Sequence, residues 1–269
     1  MRKIMTAMSA TALLCAVSAC DKQPDAAAAA DPIDGTWKAD LASVQIDEKP
    51  SVYLLKDGTY ECSTCVPPLT VRADGAFQTV KDRPYYDNIS VTVVDDQTVK
   101  TVRRKGDRVI SETTIAASTD GNKLTYDWRE APIGNAPPVT GQTTEMRIAA
   151  APAGAHVISG SWKTEKFSNI SDEGLTVSFD AEGDTLRMTS PAGTSYVAKF
   201  GGPAVPVKGD DGGTTIAVER LAANSIRETS TRGGKVVNVT TFTITEGKLN
   251  ATSENKLEGS TMKYAAVKQ

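Results

Sequence analysis

The residues with the greatest potential for chemistry form a short run, Glu61-Cys62-Ser63-Thr64-Cys65-Val66-Pro67-Pro68. Two cysteines at this spacing can form a disulfide, act as a redox dithiol, or supply half of a zinc site. A redox pair needs a thiol whose pKa is lowered, usually at a helix N-terminus, and Pro67-Pro68 after a strand-like stretch offers no such helix. A structural zinc needs about four ligands, and the only histidine is the distant His156. If the chain is exported, Cys62 and Cys65 read as a structural disulfide, which would stabilise by about 2 kcal/mol for so small a ring. A dithiol oxidoreductase is the sharper competing reading. His156 follows Pro152 and Gly154 in a small-residue stretch and reads as a linker histidine rather than a base. Asp95-Asp96 and Asp210-Asp211 lie in turn contexts without the regular oxygen spacing of a calcium loop. No nucleophile elbow, phosphate loop or dinucleotide fingerprint is present. The sequence therefore points to a non-enzymatic protein with no metal and no cofactor.

The other two cysteines belong to the start of the chain. Arg2 and Lys3 precede an apolar stretch to about Val17, too short for a stable span and shaped like an export signal. It ends in Val17-Ser18-Ala19-Cys20, which resembles a bacterial lipobox. The resemblance implies a signal peptide over residues 1–19, which carries Cys15 away, and lipid modification of Cys20. Residues 20–33, with five consecutive alanines between Pro24 and Pro32, read as a flexible tether. The expected location is the cell envelope, lipid-anchored and facing the periplasm or the cell surface. Asp21 resembles an inner-membrane retention signal in some enteric bacteria, a rule too narrow to choose the membrane.

Across 269 residues, 30 Lys+Arg face 33 Asp+Glu. Loss of residues 1–19 removes Arg2 and Lys3 and no acid, taking the net charge from −3 to −5. That excludes the cationic footprint a nucleic-acid partner requires.

The remainder is duplicated. Asp34-Gly35-Thr36-Trp37-Lys38 returns as Ser159-Gly160-Ser161-Trp162-Lys163. Ile89–Val93 corresponds to Ile216–Arg220, Arg104–Ile110 to Thr231–Val237, and Glu145–Ala149 to Thr261–Ala265. The order is kept, and a linker lies near Ala149–Gly154, so the domains are expected at 34–150 and 151–269. Within each copy apolar residues alternate with period two, as in Leu175–Phe179. Turn pairs such as Asp57-Gly58 and Asp120-Gly121 recur about every ten residues. The expected fold is all-β: two tandem antiparallel meanders of about eight strands, each closed into a barrel to remove its edges.

Gly-x-Trp on a first strand, followed by a meander and a late Arg or Lys, resembles the lipocalin and fatty-acid-binding-protein superfamily, the calycins. More closely, the chain is similar to uncharacterised bacterial lipocalin-like proteins with repeated GTWK modules. The resemblance implies that Trp37 and Trp162 close the barrels, with Arg147 and Lys263 as their cation–π partners. It also implies room for a small hydrophobic ligand or lipid. Tyr53, Tyr60, Phe77, Tyr85, Tyr86 and Trp128 are the candidate ligand-binding residues. Collapsed barrels acting as an envelope interaction module are the alternative. Arg103-Arg104-Lys105 reads as a solvated hairpin tip.

Overall fold

The computed structural model describes residues 30–269. The expected signal peptide, the lipobox-like Val17-Ser18-Ala19-Cys20 and most of the expected tether lie outside the described residues. The last tether residues are not free: Ile33 is buried and Asp31 forms an ion pair with Arg220 at 2.5 Å.

The fold is all-β, with two antiparallel sheets of 10 and 11 strands, each nearly closed into a barrel. The counts exceed eight because short pieces such as Gln78–Thr79, Val205–Pro206 and Gln45–Asp47 also pair. In the first barrel, pairing of Asp74 with Thr92 draws the ends of the sheet together. In the second, Ser195 pairs with Lys208 and Phe200 with Val218. Tight hairpins set the register. Asp57-Gly58 and Gly233-Gly234 both take two successive positive φ values, which match the twist of the flanking strands.

The strands do not follow the 34–150 and 151–269 division. Gly35–Ala39 pairs with Thr176–Glu182 and with Ser260–Lys268, in the second barrel. Gly160–Ser168 pairs with Ser51–Lys56 and Val139–Ala150, in the first. Each barrel is thus closed by the other copy's Gly-x-Trp strand. The first barrel is continuous in sequence, from Ser51 to Ser168, and it is inserted into the second between Gln45–Asp47 and Thr176–Glu182. The two motif strands have equivalent surroundings in the barrels they join. Gly35 faces Phe179 while Gly160 faces Tyr53. The Trp37 indole N–H donates to Ile33 O at 2.8 Å, and that of Trp162 to Ile158 O at 3.0 Å.

Each tryptophan is fully buried and anchors an apolar cluster at one end of its barrel. In the first barrel Leu55, Val91, Val99 and Leu124 surround Trp162. In the second Leu186, Val218, Ile226 and Leu249 surround Trp37.

Candidate ligand cavity in the first barrel

The strand alternation that buries the Trp162 cluster also decides what lies above it. On Lys123–Glu130, Leu124 is sealed in the cluster, and Tyr126, Trp128 and Glu130 follow on the same face. On Thr98–Lys105, Val99 is followed inward by Thr101 and Arg103. Tyr126, Trp128, Glu130, Thr101 and Arg103 line a half-open cavity of about 310 Å³, together with Tyr53, Tyr60, Tyr86, Thr143 and Glu145. Its base is apolar and its belt polar. Tyr53 and Tyr60 stack with ring centroids 6.2 Å apart. The Trp128 indole N–H donates to Thr143 Oγ1 at 3.1 Å.

Glu145 is only 6% exposed and accepts a 2.7 Å hydrogen bond from the Tyr126 hydroxyl. Burial raises its pKa to about 7, against the lowering effect of the Tyr126 bond, and nearby Glu48 adds to the rise. Burial likewise pushes the Tyr53, Tyr60 and Tyr126 phenols up, so they are neutral hydrogen-bonding groups. Arg103 stands at the top of the cavity. Its guanidinium lies 5.3 Å from the Tyr86 ring centroid and reaches Ser111 Oγ at 3.4 Å. Its Nε is buried without a partner among the described residues.

Above this neck lies a second space of about 640 Å³ between the barrels, sharing Tyr86, Arg103, Trp128 and Glu130 with the cavity. Loops of the second barrel, Ala192–Thr194 and Gly209–Asp211, form its far wall. The barrels are clasped there by Arg108 to Asp211, by Tyr85 Oη to Asp210 Oδ1 at 3.0 Å, and by Lys105 Nζ to Asp211 O at 2.7 Å.

Five of the six aromatic candidates meet at these spaces: Tyr53 and Tyr60 in the cavity, Tyr86 and Trp128 at the neck, and Tyr85 in the clasp. Phe77 does not. It is 37% exposed on the outside, under the Arg104 guanidinium at 3.6 Å. Arg103, Tyr126, Glu130 and Glu145 were not anticipated. The alternation starting from Val99 and Leu124 places Arg103, Tyr126 and Glu130 on the inward face. Arg103 is therefore part of the cavity wall and not of a solvated hairpin tip.

The closing cations also differ from expectation. Arg147 covers Trp162, the tryptophan of its own barrel, at 4.0 Å, and it donates to the carbonyls of Gly121, Val157 and Ser159 at 2.6–2.7 Å. The cation over Trp37 is Lys268, at 5.5 Å. Lys263 is exposed and pairs in register with Thr252 and Gln45. The structural counterpart of Arg147 is Lys268 because Met146 faces Lys123 where Val267 faces Lys248, one residue before each cation. The motif glycines make room for these cations. A Cβ on Gly35 would collide with the Lys268 side chain, and one on Gly160 with Arg147.

Cys62 and Cys65 are disulfide-bonded, with Cα atoms 5.4 Å apart. Cys62 is buried at the end of Thr59–Cys62 and Cys65 lies in the following bend, with no helix beside either. His156 organises a turn: its Nε2 lies 2.8 Å from Asp95 O, and its Nδ1 accepts from Ile158 N–H. No cluster of metal-ligating side chains is found among the described residues, and no helix there is long and apolar enough to cross a membrane. No family model, curated protein or solved structure matches this chain.

Proposed function

We propose that this chain is a non-enzymatic, lipid-anchored cell-envelope protein that binds a small amphiphilic ligand in its first barrel. The observation that carries the reading is the half-open cavity above the Trp162 cluster, with an apolar base and a belt of tyrosines, Thr101, Thr143 and Glu145. Small barrels hold one ligand when their inward positions leave space. The anchor is supported by the export-like N-terminus and Val17-Ser18-Ala19-Cys20. Lipid on Cys20 would hold the barrels at a membrane face through acyl chains, each buried methylene contributing about 0.8 kcal/mol.

The second barrel favours the other reading for its own half, a filled structural module, because Phe179, Tyr196, Phe242 and Tyr264 pack into its interior. A thiol-redox role finds less support, because Cys62 is buried and neither cysteine caps a helix.

The test is native mass spectrometry and lipid extraction of the chain isolated from its own host. A retained small amphiphile is expected, and it should be lost in Thr143→Tyr, which fills the cavity with the second barrel's residue. An empty chain, or an adduct indifferent to that substitution, removes the support for a cavity ligand.

A further inference from the structure

Two guanidiniums, Arg103 and Arg108, and three carboxyls, Glu130, Asp210 and Asp211, line the space between the barrels. Arg108 is paired with Asp211. Asp210 accepts from the Tyr85 hydroxyl and, at 2.7 Å, from Thr214 N–H. These contacts hold the two barrels together. Arg103 takes no part in them. Among the described residues it forms no ion pair, its Nε is buried and unpartnered, and its contacts are one hydroxyl and the face of Tyr86. A half-buried guanidinium with one N–H unpartnered and no ion-paired carboxylate gains from an anion with hydrogen-bond acceptors. Glu130 lines the same neck without being ion-paired to Arg103; burial raises its pKa and the nearby Arg103 charge lowers it.

Part of the remaining lining is apolar. Ile110, Trp128, Ile133 and Val139 come from the first barrel's chain segment, and Ala192 and the Gly209 backbone face them from the second barrel. At about 640 Å³ it falls within the range of small-molecule sites, roughly 300–1,000 Å³. It exists only because two barrels sit in one chain.

We propose that the space between the barrels is a second binding site, taking a small amphiphilic monoanion with its anionic group on Arg103 and its apolar body between Trp128 and the Ala192–Thr194 loop. This extends the ligand-binding reading but stands on residues outside the barrel interior. The ligand enters head first: its charge points to the first barrel's neck and its apolar part lies between the barrels.

The test uses the full chain in lipid nanodiscs, with empty nanodiscs as the blank. Bromododecanoate and bromododecanol are titrated against tryptophan fluorescence, since Trp128 lines the site while Trp37 and Trp162 are sealed at the barrel ends. The acid should bind about tenfold or more tightly than the alcohol, an ordinary increment for a charge-assisted pair. Arg103→Gln should erase that preference, and Arg103→Lys should keep part of it. Ala192→Phe should weaken both probes. Unchanged thermal melting of each variant separates these effects from misfolding. Equal affinities for acid and alcohol, or indifference to Ala192→Phe, overturns the inference. If Thr143→Tyr abolishes binding and Ala192→Phe does not, the probe sits in the first barrel. That result sinks the inter-barrel site and leaves the cavity reading standing.

Discussion

Where the first barrel has Thr143 opposite Tyr126, the second has Tyr264 opposite Ala251. Where the first has Thr101, two residues after buried Val99, the second has Glu228, two residues after buried Ile226. The closed ends match nearly residue for residue, while the open halves have been refilled. Both halves nonetheless keep one carboxyl bonded to a tyrosine. Tyr126 donates to Glu145 in the first barrel and Tyr196 to Glu228 in the second, from positions that do not correspond. Burial raises both carboxyls to about 7. The Gly-x-Trp end is thus the part of the barrel that must be kept. The interior above it is free to be either a cavity or a core, provided its polar atoms find partners.

The largest effects should come from the conserved plan itself. Trp162→Ala and Trp37→Ala each remove a fully buried indole and should cost about 3–5 kcal/mol, measured by chemical denaturation. If the barrels are separate cooperative units, each variant should lower the transition of one barrel more than the other. The melting barrel should be the one that holds the exchanged strand, so Trp162→Ala should expose amides of residues 51–150 in hydrogen exchange.

Next is pH. A carboxyl raised from about 4.5 to about 7 on folding binds more protons in the folded than in the unfolded chain across that interval. Its stabilising protonated form is fully present below about pH 4.5, and stability is lost as pH rises through 7. For Glu145 the loss is roughly 3 kcal/mol. Glu145→Gln should therefore remove about half of the decline between pH 4.5 and 7, the rest belonging to Glu228, and be more stable than the parent at pH 8. A parent whose stability is unchanged across that interval would contradict the buried-carboxyl geometry.

Smaller differences come from the closing cations. Arg147 makes three short bonds to carbonyls as well as covering Trp162, whereas Lys268 only approaches Trp37. Arg147→Ala should cost about 2–3 kcal/mol and Lys268→Ala about 1 kcal/mol or less. Lys263→Ala, on an exposed side chain, should fall within about 0.5 kcal/mol of the parent. Only the first barrel carries the Cys62–Cys65 bond, and its reduction should lower that barrel's stability by about 2 kcal/mol and leave the second unaffected.

Much of this plan was legible in the sequence. Period-two alternation and paired turn residues specify antiparallel strands locally, and the repeated Gly-x-Trp revealed two copies. The exchange of the motif strands was not legible, because Gly35–Trp37 and Gly160–Trp162 present the same glycine, indole and preceding isoleucine contacts to either barrel. Which barrel each joins is settled by distant pairing with Tyr53 or Phe179. The last strand was misaligned by sequence similarity: matching Met146 to Met262 selects Lys263, whereas pairing with Lys123 and Lys248 selects Lys268. The cavity tyrosines could be suspected from residue type. Arg103 and Glu145 could not, since charge in a strand reads as solvent-facing until the inward phase is fixed by its buried neighbours.

The claim that one barrel is a cavity and the other a core is tested most directly by NMR of the full chain with labelled tyrosine rings, titrated with the amphiphile recovered from the host. The account predicts shifts at Tyr53, Tyr60 and Tyr126 and none at Tyr196 or Tyr264. Shifts at the second pair, or none at the first three, would contradict it.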